Sequence, residues 1–179
     1  MKKVLLSALF ALCLAVSAYA QPRAIGGRLG TGIEVSYQHS MGEKNMVEVE
    51  LGMPWYLGVQ ASATYDWIFN IKSWNGAGKW NWYAGVGASV GYIAHLYREY
   101  HWNYTYPIHW IGGGIAGVAG RIGVEYVFDN VPLVLSVDYR PVIGAAFWGA
   151  CEHELDAQSG AAFYTPGLYD FAVSARYIF

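Results

Sequence analysis

Residues 80–92 read WNWYAGVGASVGY, and a period of two runs through them. Trp80, Trp82, Ala84, Val86, Ala88, Val90 and Tyr92 fall on one side; Asn81, Tyr83, Gly85, Gly87, Ser89 and Gly91 fall on the other. A helix places its apolar residues three and four apart, whereas strict alternation belongs to a strand whose two faces meet different surroundings. The longer stretch 80–97 lacks Asp, Glu, Lys and Arg, which invites comparison with a membrane-spanning helix. Gly85, Gly87 and Gly91 argue against one, since each costs a helix about 1 kcal/mol relative to alanine.

The same split recurs along the chain. Val47, Val49 and Leu51 oppose Glu48, Glu50 and Gly52, and Val59, Ala61, Ala63, Tyr65, Trp67 and Phe69 oppose Gln60, Ser62, Thr64, Asp66 and Asn70. Val118, Ile122, Val124, Tyr126 and Phe128 oppose Arg121, Gly123 and Glu125. Leu133, Leu135, Val137 and Tyr139 oppose Ser136, Asp138 and Arg140. At the end of the sequence, Phe171, Val173, Ala175, Tyr177 and Phe179 oppose Asp170, Ser174 and Arg176. The pattern predicts strands over 24–30, 33–40, 46–53, 58–71, 80–93, 111–128, 132–143 and 167–179. Turn-like stretches separate them: Gly30-Thr31-Gly32, SMGEKN (40–45), NGAGK (75–79) and DNVP (129–132). The first hairpin is the least sharply drawn, because Ile25, Leu29, Ile33, Val35 and Tyr37 keep one phase and 24–40 also reads as a single strand. The expected fold is all-β: an eight-stranded antiparallel up-and-down transmembrane β-barrel.

Sidedness follows from the chemistry of the two faces. A soluble barrel turns its apolar face inward and its polar face to water. Here the polar face is mostly Gly, Ser, Ala and Thr with isolated charges, which suits a narrow lumen that side chains must fill. The other face is continuous, apolar and rich in rings near strand ends, as on a lipid-facing wall with aromatic girdles. Composition agrees: 55% of residues are hydrophobic and 13% are charged, where a soluble surface carries about 25–35% charge. Strands of roughly 9–14 residues cross a bilayer when tilted by about 45°.

Residues 1–20 read as a cleaved secretory signal peptide. Lys2 and Lys3 precede an apolar run from Val4 to Val16, and Ala18-Tyr19-Ala20 supplies a small-x-small cleavage site. The barrel domain is then 21–179. Without Lys2 and Lys3 the chain has nine basic and 13 acidic residues, so it carries no basic footprint for nucleic acid. Cys151 alone remains beyond the leader, which excludes an internal disulfide in the mature domain.

With this phasing the lumen receives Arg28, Arg121, Arg140 and Arg176 together with Glu34, Glu48, Glu50, Asp66, Glu125 and Asp138. Charges withdrawn from water need partners, and arginine engages carboxylates in pairs. The set predicts a hydrogen-bonded network that plugs the barrel; a proton or ion path along it, making a narrow conducting pore, is the competing reading.

By these strands and turns the chain resembles the small eight-stranded outer-membrane barrels of Gram-negative bacteria, the class of the OmpA membrane domain and OmpX. The resemblance rests on IGVEYVFDNVPLVLSVDYRP (122–141): Gly-x-Glu-Tyr, a short turn, then Pro-x-x-Leu-Ser-x-Asp-x-Arg-Pro. NWYAGVGASVG (81–91) fits the same pattern. It implies an outer-membrane location, short turns toward the periplasm, contact with outer-membrane lipid, and recognition of the terminal strand and Phe179 by the barrel-assembly machinery.

Function is less sharply written. His95, His101, His109 and His153 fall in or near the segments expected outside the cell, with Glu99, Glu152 and Glu154 nearby and Ser159 the nearest loop serine. No nucleophile motif frames them, and Cys151-Glu152-His153 places three metal-capable side chains too close in sequence to converge on one ion. The sequence therefore assigns no catalytic residue, metal or cofactor, although a barrel enzyme acting on lipid A or phospholipid is a competing class. The segment 97–110, YREYHWNYTYPIHW, is the best recognition candidate. Its Tyr97, Arg98, Tyr100, His101, Trp102, Tyr104, Tyr106 and Trp110 combine rings with charge, a composition found on binding surfaces for an extracellular ligand. The same rings also suit an upper girdle that stiffens a hairpin. The resulting expectation is a structural surface barrel with recognition or adhesion loops.

Overall fold

The computed structural model describes residues 22–55, 58–74, 76–97, 100–101, 104–105, 109–148 and 160–179. The described strands are β1 (Pro22–Leu29), β2 (Gly32–Ser40), β3 (Asn45–Pro54), β4 (Gly58–Asn70) and β5 (Gly78–Tyr97). Two short strands follow, β6 (Tyr100–His101) and β7 (Tyr104–Thr105), and then β8 (His109–Phe128). The chain continues through β9 (Leu133–Tyr139), β10 (Val142–Trp148), β11 (Gly160–Phe163) and β12 (Phe171–Ile178).

Every ladder is antiparallel, and the wall closes. Its order is β8-β5-β4-β3-β2-β1-β12-β9, and β9 pairs back onto β8. That ring has eight positions. Closure gives each of these eight strands a ladder neighbour on both sides over the part of the wall they share.

The first hairpin resolves as two strands. Gly30 and Thr31 alone lie between β1 and β2, and Gly27 faces Val35 across it. Trp55 covers the tip, its indole N–H donating to the Gly30 carbonyl at 2.8 Å. At the opposite end the β2–β3 turn passes through Gly42, whose φ of 88° is a left-handed conformation that glycine adopts without strain.

Two predicted strands require correction. The stretches 132–143 and 167–179 are each interrupted. The β9–β12 ladder ends at Tyr139↔Phe171, and pairing resumes only at Ala145↔Phe163 between β10 and β11. Between these points lie Pro141 and a 3₁₀ helix, Thr165–Tyr169. Proline brings no N–H to a ladder, which ends regular pairing there. Single bonds bridge the gap: the Arg140 N–H donates to the Asp170 carbonyl at 2.8 Å, and the Tyr164 N–H to the Gly144 carbonyl at 2.9 Å. The two halves therefore occupy one wall position as β9 with β10, and another as β11 with β12.

β5 and β8 rise beyond the rest of the wall, paired as far as Tyr97↔His109. The backbone of β5 thus stays in strand conformation beyond Ala94.

Alternation sets the two surfaces. Val35, Leu51, Val86, Val90, Val118, Val137, Ile143 and Val173 are exposed on the outer wall. At the end that carries the short turns, rings gather on that wall. Phe69 stacks on Trp82 at 4.3 Å between centroids, Trp80 meets Tyr126 at 4.9 Å, and Tyr126 meets Phe128 at 4.6 Å. Inside lie the buried arginines and carboxylates.

Candidate functional site: the charged lumen

The lumen is assembled from residues that alternate with the outer apolar row. All ten predicted lumen residues are buried, none exposing more than 6% of its surface: Arg28, Glu34, Glu48, Glu50, Asp66, Arg121, Glu125, Asp138, Arg140 and Arg176. They come from β1, β2, β3, β4, β8, β9, β12 and the Arg140-Pro141 break, so the network touches nearly the whole circumference.

Nearest the short turns, Arg23 donates to Gln38 at 2.6 Å and pairs with Glu125. Asn81 also donates to Glu125, at 2.8 Å. This forms the first stopper across the lumen.

Farther in, Arg176 donates from Nε to the Ser36 hydroxyl and from Nη1 to the Ser136 hydroxyl, each at 2.7 Å. Its Nη2 reaches Glu48 at 2.5 Å. Glu48 also accepts from Ser36 at 2.5 Å and from Gln38 at 2.8 Å. Arg121 reaches the other Glu48 oxygen at 2.5 Å and Asp138 at 3.2 Å. Its guanidinium carbon lies 5.1 Å from the centroid of the buried Tyr83 ring, within cation–π range.

Toward the opposite end, Arg28 and Arg140 share carboxylates. Arg28 donates to Glu34 at 2.8 Å, to Asp170 at 3.0 Å and to Asp138 at 2.9 Å. Arg140 donates to Glu34 at 2.7 Å and to Asp170 at 2.8 Å, and it pairs with Glu50. Thr31 at the β1–β2 tip adds a hydroxyl donor to Asp170 at 2.7 Å. Each buried arginine is thus held by more than one acceptor, the condition under which attraction offsets the cost of desolvation.

Above this layer the chemistry changes. The Ser89 hydroxyl oxygen accepts from the Gln60 amide at 2.8 Å and from the Ser62 hydroxyl at 2.9 Å. Then comes an apolar cluster of Ile115, Ala119, Val142 and Tyr164, with Ala146 packed against it. The Tyr164 ring enters the lumen where the chain leaves β11 for the 3₁₀ helix. From the short turns upward, the described lumen side chains thus form a stopper, a charged layer, a polar layer and an apolar cluster.

Sequence reasoning missed Arg23 and Asp170 as members of the network. Arg23 lay just outside the drawn strand. Asp170 was read in the correct phase, opposite Phe171, but its place beside a strand break was not foreseen. Tyr83 was likewise on the inner list without a role.

The remaining candidates are scattered or undescribed. Phe179 follows β12 with its ring exposed on the outer wall. Of the recognition segment, the backbone of Tyr97, Tyr100, His101, Tyr104 and Trp110 is placed in β5, β6, β7 and β8. Arg98, Trp102 and Tyr106 lie outside the described residues, as do the predicted signal peptide and Glu99, Cys151, Glu152, His153, Glu154 and Ser159. Among the described residues no group of three or more His, Cys, Asp and Glu side chains is arranged to hold a metal ion. Comparison with protein-family models, with curated proteins and with solved structures gave no match to this chain.

Proposed function

We propose that the chain is an integral outer-membrane barrel of a Gram-negative bacterium, exported behind a cleaved signal peptide, whose lumen is plugged and whose work is done by its wall and its projecting segments. One observation carries the reading: the barrel is inverted relative to a soluble one. Charged side chains fill its inside, and large apolar side chains cover its outside. In water that wall would be a large exposed hydrophobic patch, which soluble monomers rarely tolerate. In hydrocarbon it is the expected surface, and closure of the ring from β8 round to β9 pairs the strands that would otherwise end as edges in lipid.

The short turns at Ser40–Asn45, Asn70–Gly78 and Phe128–Leu133 then face the periplasm. The tall β5–β8 hairpin faces outward, and its segment 97–110 is the recognition or adhesion surface. The filled lumen supports a structural role over a diffusion pore.

The test is behaviour in detergent and lipid. The purified mature chain should need detergent to stay monomeric. It should run as a compact band on cold SDS gels and as a slower band after boiling. Refolded into vesicles, it should protect 113–148 from external protease. A chain that is monomeric and soluble without detergent would sink the reading.

A further inference from the structure

The ladders fix how the wall is inclined. Trp80 pairs with Tyr126, Tyr126 with Leu135, and Leu135 with Ala175 on β12. The row continues through Gly27, Val35, Leu51 and Ala61 and returns to β5 at Val90. One circuit of the wall thus climbs from residue 80 to residue 90 of the same strand. With residues about 3.4 Å apart and strands about 4.8 Å apart, that stagger tilts the strands by about 40°.

A groove of about 740 Å³ follows this row on the outer wall. It starts at Trp80 and Tyr126 beside the short turns, crosses Ala175 and Gly27, and ends at Leu29 and Ile33. Its floor is the pair Gly27↔Ala175, on the seam where β1 meets β12. The ladder does not require a glycine there, because a Cβ on Gly27 would meet only the Glu34 carbonyl oxygen, at 3.9 Å. Glycine weakens a strand interior, so what Gly27 contributes is the empty space beside it. From β5 to β2 the groove crosses five strand spacings. That is about 24 Å of wall, rising about 16 Å at this tilt. The rise is half of a hydrocarbon core of about 30 Å, the depth that the chains of one leaflet fill.

The lower end of the groove is aromatic and cationic. Trp74 meets Trp80 edge-on there, with centroids 5.8 Å apart. Lys72 shares the 3₁₀ turn Lys72–Trp74, Lys79 precedes Trp80, and both lysines are exposed. The turn 71–79 contains no acid and the neighbouring turn 129–132 contributes only Asp129, so this part of the rim is net positive.

We propose that the groove binds an anionic phospholipid of the periplasmic leaflet, with one acyl chain lying across Gly27 and Ala175 and the phosphate meeting Lys72 and Lys79. Apolar groove and cationic rim meet at Trp80, so one molecule with a charged head and a long tail satisfies both. A lipid of the outer leaflet would enter from the opposite end, where the groove stops on the apolar pair Leu29 and Ile33. The inference rests on the outer-membrane reading and adds to it a lipid class, a leaflet and a place on the wall.

Native mass spectrometry of the mature chain tests this, after refolding into vesicles of phosphatidylglycerol and phosphatidylcholine in equal amounts and release into mild detergent. The wild type should retain one phosphatidylglycerol in preference to phosphatidylcholine. Gly27→Leu fills the groove and should lose that lipid while keeping the compact, heat-modifiable band. Ala63→Leu, exposed on the outer wall away from the groove, should keep both. Lys72→Gln and Lys79→Gln leave the seam untouched, and each should weaken the preference for phosphatidylglycerol by about fivefold. Equal retention of the two lipids by the wild type, unchanged retention in Gly27→Leu or in both lysine variants, or a dimer of the chain in place of the lipid adduct would each overturn the proposal. In those outcomes the chain still enters vesicles and the membrane reading stands; a chain that never enters them sinks both.

Discussion

Arg140 is joined to Asp170 twice: its backbone N–H donates to the Asp170 carbonyl, and its guanidinium Nε donates to the Asp170 carboxylate, both at 2.8 Å. The pairing stands where the β9–β12 ladder stops. A side-chain bond thus continues a seam that the backbone abandons at Pro141. Arg140→Met would leave Glu34, Glu50 and Asp170 short of a cation and should cost about 3–5 kcal/mol, the usual penalty for stranding one member of a buried pair. The readout is the urea midpoint of the heat-modifiable band. Arg140→Met with Asp170→Asn should cost clearly less than the two single changes added together, because each removes the other's partner.

Glu48 and Glu125 should differ under the same substitution. Glu48 is wholly buried and engages Arg121, Arg176, Ser36 and Gln38. Glu125 engages Arg23, whose side chain retains 16% exposure and can turn to water. Glu48→Gln should therefore lower the unfolding midpoint markedly, by about 3–5 kcal/mol of stability. Glu125→Gln should lower it by less than half as much. Equal losses would mean that burial of the partner is irrelevant.

Depth along the outer wall gives a third test. Val137 lies within β9 and is 60% exposed, while Val131 lies in the turn before it and is 47% exposed. In vesicles, Val137→Arg should cost about 2–4 kcal/mol, falling to about 0–1 kcal/mol for Val131→Arg near an interface. In water the two would be alike. Comparable stability of both variants in a bilayer would count against the lipid-facing assignment.

Adjacent glycines in β1 supply a fourth. A Cβ on Gly26 would lie 2.0 Å from the Ala175 carbonyl oxygen, whereas one on Gly27 would meet nothing closer than 3.9 Å. Gly26→Ala should therefore disturb the β1–β12 closure by at least about 1–3 kcal/mol. Gly27→Ala should be neutral or slightly stabilising, since alanine restricts the unfolded chain. Thermal unfolding of the two single variants distinguishes them.

The wall was legible in the sequence because one rule governs it. Most described wall strands expose apolar side chains and bury small, polar or charged ones, so Val86 and Ser89, or Val124 and Glu125, declare their sides without further context. The eightfold count followed from short turns such as 129–132. The break at Arg140-Pro141 was less legible. Tyr139 and Ile143 remain outward across it, so the period is unbroken although the ladder is not. Pro141 and Pro166-Gly167 were the available signals. The network's membership was readable from phase, but its pairings were not. Arg28 on β1 finds Asp138 on β9 only because the sheet closes, and closure is a property of the whole chain. The apolar cluster was hidden for the same reason: Ile115, Val142 and Tyr164 meet across the barrel, and no local pattern joins them.

Consider finally what Arg176 and Arg28 do to the cross-section. They spring from the two neighbouring strands at which the cylinder is sewn shut, and they reach inward to β2, β3 and β9. These links act as spokes of a wheel. Squeezing the cylinder into an oval lengthens some spokes while crowding others, so shape and internal bonding cannot change separately. A hoop built only of strands would flex under lateral pressure; this one is braced against it.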